Sequence, residues 1–213
     1  MTWLIPERGT PVPQRDSTMH IVLLGDSIFD NGPYTAGGPA VIDHLRAGLP
    51  PGQAATLLAV DGHMVEDVPF QLRKTPGGAT HFFLSVGGND ALEHVELLSH
   101  RVDTAGHGLA LLGRAAEEFA DAYQGLLDYL VRELSWLQVC TVYNGNFGAE
   151  APMVSAAVRL FNDAIQRAAN RRGLAVVELR DLLNRPEHYA NPIEPSVEGG
   201  RVLAEELLRR VGL

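Results

Sequence analysis

From His20 onward, short apolar or β-branched runs alternate with longer stretches in which apolar positions recur at helical spacing. The runs His20 to Leu24, Ala55 to Ala59, His81 to Ser85, Gln138 to Tyr143 and Ala175 to Glu178 are apolar enough for strands buried on both faces. Helical spacing fits Pro39 to Ala47, Val65 to Lys74, Ala91 to Leu98, Arg114 to Leu134, Pro152 to Arg172 and Ser196 to Arg210. Strands alternating with helices predict crossover connections, and hence an α/β fold on a five-stranded parallel sheet. The last helix opens on Ser196 behind Pro195 and ends among cationic residues, as capping and the helix dipole favour.

Ahead of this pattern, residues 1–18 carry prolines and no apolar period, so an irregular leader is expected before a single domain over residues 19–213. A chain of 213 residues with 46% hydrophobic and 20% charged positions suits one globular domain and excludes a disordered class. A net charge of −9 argues against a nucleic-acid partner, which calls for clustered lysine and arginine. Apolar runs are too short to span a bilayer, and Met1 to Met19 lacks the apolar core of a secretory signal, so no membrane partner and a cytoplasmic location are expected. Cys140 is the sole cysteine, which leaves it the role of a small core residue on a strand.

Ligands of open α/β sheets bind beyond the carboxyl ends of the strands. The loops there read Gly25-Asp26-Ser27-Ile28-Phe29-Asp30, Asp61-Gly62-His63, Gly87-Gly88-Asn89-Asp90 and Asn191-Pro192-Ile193-Glu194-Pro195-Ser196. Taken singly, each is an ordinary turn or helix cap. Taken together, they offer a hydroxyl nucleophile and three oxyanion donors: the N–H groups of Ser27 and Gly62 and the Asn89 amide.

Gly25-Asp26-Ser27, then Gly62, then Gly88-Asn89-Asp90, in this order and strand context, resemble the first three sequence blocks of the GDSL/SGNH hydrolases. The resemblance spans the chain from His20 onward. It implies a flavodoxin-like three-layer α/β/α sandwich, a small-molecule ester or related acyl substrate, and no metal or organic cofactor. It also implies that Ser27 is the nucleophile, with Gly62 and Asn89 as oxyanion donors. The fourth block departs from the family. Its usual Asp-x-x-His before Pro-Ser is here Asn191-Pro192-Ile193-Glu194, aligned by Pro195 and Ser196, so Glu194 stands at the base position and Asn191 at that of its orienting aspartate.

A histidine titrates near neutrality, whereas a glutamate starts near ~4.3 and needs burial or negative neighbours such as Asp26 and Asp90 to become a useful base. An aspartate at 191 would repel an ionised Glu194, and Asn191 is expected to donate a hydrogen bond to that carboxylate instead. Three readings follow. A Ser27–Glu194 dyad cleaves esters; a catalytically silent relative binds an acyl or glycan ligand; or another base, His188 or His63, serves Ser27. The simpler reading of His188 is a solvated loop residue, and of His63 a surface residue at a helix entry. His44, His81, His94, His100 and His107 show no metal-ligand spacing, and the Gly-Asp and Gly-Asn-Asp blocks lack the histidines of a two-metal phosphoesterase, so no metal site is expected. Asp90 is expected to cap the helix near Ala91, Asp30 and Asn31 to line the pocket or end the loop, and Trp136 and Phe147 to pack in the core or rim. Ser99 to Gly113, rich in glycine and histidine, is expected to form a mobile flap over the site. Neither the ester nor an oligomeric state is set by these patterns.

Overall fold

The computed structural model describes residues 18–213; residues 1–17, and the expected leader with them, lie outside the described residues. The strands are β1 (His20–Gly25), β2 (Ala54–Leu57), β3 (His81–Ser85), β4 (Leu137–Cys140) and β5 (Ala175–Val177), all parallel in the order β2-β1-β3-β4-β5. The helices among the described residues are α1 (Val41–Gly48), α2 (Val68–Leu72), α3 (Gly88–Leu92), α4 (Ala105–Glu133), α5 (Ala151–Arg171), α6 (Leu179–Leu182) and α7 (Val197–Arg210). None is long and apolar enough to cross a membrane.

Alternation along the strands builds the layers. Ile21, Leu23 and Phe83 pack against Val41 and Leu45 of α1 and Leu203 and Leu207 of α7. Val22, Leu24, Phe82 and Leu84 face the other way, onto Phe119, Tyr123 and Leu127 of α4 and Phe161 and Ile165 of α5. Successive strand residues thus feed opposite cores, which is why each run reads as continuously apolar. The result is the three-layer α/β/α sandwich expected, with Cys140 buried on β4 and Trp136 edge-on to Phe83.

Several elements differ in extent from their sequence signals. The run Gln138 to Tyr143 stops pairing at Cys140 because the Asn162 side chain takes both the N–H and the C=O of Val142, each at 2.7 Å. Val65 to Lys74 divides into a 3₁₀ turn, Val65–Asp67, and then α2, where Pro69 fits only the first turn of an α-helix. Ala91 to Leu98 divides likewise into α3, which starts three residues earlier at Gly88, and a 3₁₀ turn at Val95–Ser99. Asp90 lies inside α3 and does not cap it; both of its carboxylate oxygens accept the Val65 N–H at 3.3 Å. The expected flap is in large part the start of α4, which begins at Ala105 because the Thr104 hydroxyl accepts the His107 N–H at 3.1 Å. The Ser196 cap is as expected, accepting the Gly199 N–H at 3.1 Å.

The chain passes from β1 to β2 on one side and returns to β3 on the other. Loops leaving β1 and β3 therefore part at this switch point, and the crevice between them opens beside Ser27 and Asn89.

Candidate active site

Ser27 follows a loop that only glycine permits. Gly25 has φ +130°, and a Cβ there would lie 1.8 Å from the Ser85 carbonyl oxygen. Asp26 then donates its N–H to Ser85 O at 3.0 Å, and its carboxylate accepts the Ile28 N–H at 3.2 Å. The Ser27 N–H has no acceptor among the described residues. Gln71, 1% exposed, clasps this turn: its Oε1 accepts the Gly25 N–H at 2.8 Å, and its Nε2 donates to Gly25 O at 2.7 Å and to His63 Nδ1 at 2.9 Å.

The fourth block is held as rigidly. Ala190 N–H donates to Glu194 O at 2.8 Å, Ser196 N–H to His188 O at 2.8 Å, and Asn31 Nδ2 to Pro195 O at 3.2 Å, while the Tyr143 hydroxyl donates to Ile193 O. Asn31 is thus a buried strut between the first and fourth blocks, not a pocket-lining residue. Asn191 differs from expectation. Its Oδ1 accepts the N–H groups of Ile193 and Glu194, both at 2.9 Å, so it fixes the backbone under Glu194 rather than the carboxylate. The short side chain closes an Asx turn more readily than it reaches around to its neighbour's head group.

Ser27 and Glu194 come together on the wall of a cleft of about 950 Å³, counting the part open to solvent. Ser27 is 7% exposed and Glu194 6%. The serine hydroxyl lies near enough to favour the charged carboxylate. It falls short of a fully formed hydrogen bond, and Glu194 Oε2 has no partner among the described residues; such contacts commonly tighten only around substrate. Asn89 lines the same cleft with one amide proton committed to His63 O at 2.9 Å, leaving the other free. The Gly62 N–H also lacks an acceptor among the described residues, but Gly62 stands outside the cleft lining, with φ +81°.

Neither alternative base reaches the cleft. His63 is tied to Gln71, and His188 is neither solvated nor in the pocket: it is buried under Arg185, whose Nη2 lies 3.0 Å from its Nε2. Burial, and then Arg185, lower the pKa of His188. The imidazole that does line the cleft is His94, near Phe161 at 6.3 Å between ring centroids. Its sequence context, like that of Gln71, gave no sign of this.

Burial raises the pKa of Glu194, with Asp61 adding to the shift and the Ser27 hydroxyl opposing it. Asp26 is pushed up to about 8, first by burial and then by Glu194 and Asp90 despite the Ile28 N–H. Asp90 is raised chiefly by burial. The remaining walls are apolar, with Val86, Leu112, Val158 and Phe161 among them and Phe147 at the rim.

The sequence matches the GDSL-like lipase/acylhydrolase family over residues 23–202, which includes all four blocks. The chain belongs to that family. Hydrolysis of ester bonds is accordingly its class of chemistry. No match is found among curated proteins. The GDSL fold is shared with solved structures of low identity. A variant of an acetyl xylan esterase from Geobacillus stearothermophilus is 17% identical, with TM-score 0.66, covering 91% of this chain and 94% of its own. A lipase/acylhydrolase from Enterococcus faecalis is 19% identical, with TM-score 0.65 and coverage of 91% and 95%. An extracellular lipase from Streptomyces rimosus is 16% identical, with TM-score 0.61 and coverage of 89% and 99%.

Proposed function

We propose that this protein hydrolyses small carboxylic esters through nucleophilic attack by Ser27, with Glu194 as the base in place of histidine. The observation that carries this reading is the meeting of a buried hydroxyl with a buried carboxylate of raised pKa on one cleft wall. Glu194 accepts the Ser27 proton as Oγ bonds to the substrate carbonyl carbon. The oxyanion that forms is met by the Ser27 N–H, the second amide proton of Asn89, and the Gly62 N–H once substrate draws that loop inward. Its collapse breaks the carbon–oxygen bond to the alcohol, which leaves with the proton held by Glu194. Water then attacks the acyl-serine carbon, Glu194 takes a water proton and returns it to Ser27 Oγ, and the acid departs.

The test is hydrolysis of p-nitrophenyl esters across pH, with intact-mass detection of a phosphonate adduct. Turnover and labelling should vanish in Ser27→Ala. Glu194→Gln should lower kcat by ~10²-fold or more, and the wild-type acid limb should lie above the ~4.3 of an ordinary glutamate. Undiminished turnover in Ser27→Ala would sink the proposal. A second reading, a ligand-binding relative without turnover, is favoured by the unpartnered Oε2 of Glu194 and by the engagement of Asn191 with the backbone; it predicts affinity for esters and no adduct.

A further inference from the structure

Two kinds of surface meet at Glu194. One is the cleft, whose walls are largely aliphatic and aromatic and include no lysine or arginine. The other lies outside that lining, where the loops after β1 and β2 interlock. Tyr34 Oη donates to Asp61 Oδ2 at 2.6 Å, and the Asp61 N–H donates to Asp30 Oδ2 at 3.0 Å. Tyr34, Asp61 and Asp30 are all half-buried, so each keeps a solvent-facing part. Asp61 lies near enough to Glu194 for its charge to act on that carboxylate, and its N–H on Asp30 ties it to the loop that carries Ser27. Glu194 joins the two surfaces, lining the cleft with an Oε2 that has no donor among the described residues. A carboxylate oxygen buried without a partner is one that a bound cation or donor would satisfy.

Building on the hydrolase reading, we propose that the preferred substrate is an ester of an aliphatic acid with a positively charged amino alcohol. The acyl chain occupies the apolar cleft, and the ammonium group lies beside Asp61, Tyr34 and Glu194. The orientation follows from the chemistry, because the departing alcohol must take its proton from Glu194 and so lies on the side that Glu194 shares with Asp61. A phenol ring among carboxylates is also the environment that stabilises an alkylated ammonium. Anionic leaving groups meet only repulsion there, which disfavours coenzyme A thioesters and phosphate-bearing alcohols.

The experiment compares hexanoylcholine with 3,3-dimethylbutyl hexanoate, its uncharged isostere, and with acetylcholine and hexanoyl-coenzyme A. At low ionic strength kcat/KM should favour hexanoylcholine over the isostere roughly fivefold or more, and the ratio should shrink in about 0.5 M salt and in Asp61→Asn. Acetylcholine should fall at least ~tenfold behind, since each buried methylene contributes roughly fourfold. The same ratios read as Kd on Ser27→Ala by calorimetry measure recognition without turnover. A chain that binds with these ratios but cleaves nothing would overturn the hydrolase reading alone. Equal values for the choline ester and its isostere, equal values for acetyl and hexanoyl, or efficient use of the coenzyme A thioester would each overturn the substrate assignment while leaving ester hydrolysis intact.

Discussion

Asn191 and Glu194 are coupled through the backbone they share. One oxygen of Asn191 accepts the N–H groups of both Ile193 and Glu194. An aspartate at 191 would keep those bonds on one oxygen and present the other to an imidazole at 194, which is the arrangement the family's Asp-x-x-His block implies. Glu194→His alone places an imidazole with no acceptor to set its tautomer, and is expected to cut kcat/KM at least ~tenfold. Adding Asn191→Asp is expected to restore turnover with an acid limb near ~6.5. pH–rate profiles of the three proteins on one ester decide the matter; a double variant no better than the single one would mean that position 191 does not reach residue 194. That Ser27, Asn89 and Glu194 share one cleft was legible in the sequence through the resemblance of their loops to the family's blocks, with Pro195 and Ser196 aligning the last. His188 was not, since its burial depends on α7 seating against its carbonyl, where a Cβ on Gly199 would lie 2.2 Å away. The paired Gly199-Gly200 at a helix start was the available hint.

At the scale of elements, α2 exists to deliver Gln71. One amide ties the end of β1 to the loop bearing Gly62 and His63, over a separation of 46 residues in the case of Gly25. No local pattern announces such a contact, so nothing in the helical spacing of Val65 to Lys74 singles out Gln71. Gln71→Leu is expected to leave the buried Gly25 N–H without an acceptor, at a cost of about 1–3 kcal/mol in denaturant titrations. It should also lower kcat more than the loss of folded protein explains, because Gly62 and Asn89 lose their common anchor at His63. Wild-type kcat in the folded variant would assign Gln71 to stability alone. The start of α4 was misread for a related reason: Gly106, Gly108 and Gly113 argue for a loop locally, and the Thr104 cap with Leu112 against the cleft overrides them. A Cβ on Gly113 would meet nothing within 4 Å. Gly113→Ala is therefore expected to stabilise the protein by about 0.5–1 kcal/mol, seen as a Tm rise of a few degrees; a fall in Tm would place residue 113 outside a helix.

Across the whole molecule, sheet topology and charge act on stability in opposite directions. Asp26 and Glu194 line the cleft and Asp90 accepts the Val65 N–H beside it, and all three hold protons more tightly than ordinary carboxyls do, chiefly because of burial. A raised folded-state pKa gives stability that is fully present below the unfolded value, near ~4, and is lost as pH climbs through the folded value, about 8 for Asp26. Glu206 behaves in the reverse sense: hydrogen bonds from Arg209 and Arg210 lower it, so its contribution is present above ~4 and lost in acid. Glu178 follows Glu206, since the bonds from Arg180 and Thr141 outweigh its partial burial. The two sets bracket a stability maximum at about pH 5, followed by a decline toward pH 8 as the net charge of −9 develops. Asp26→Asn keeps an oxygen for the Ile28 N–H and removes the proton that Asp26 loses across this range. Thermal unfolding followed from about pH 4 to pH 9 should show a flatter decline for the variant, with the two curves furthest apart on the alkaline side. Parallel curves would mean that Asp26 is ionised throughout the range, and Glu194 would then face Ser27 beside a second negative charge at neutral pH.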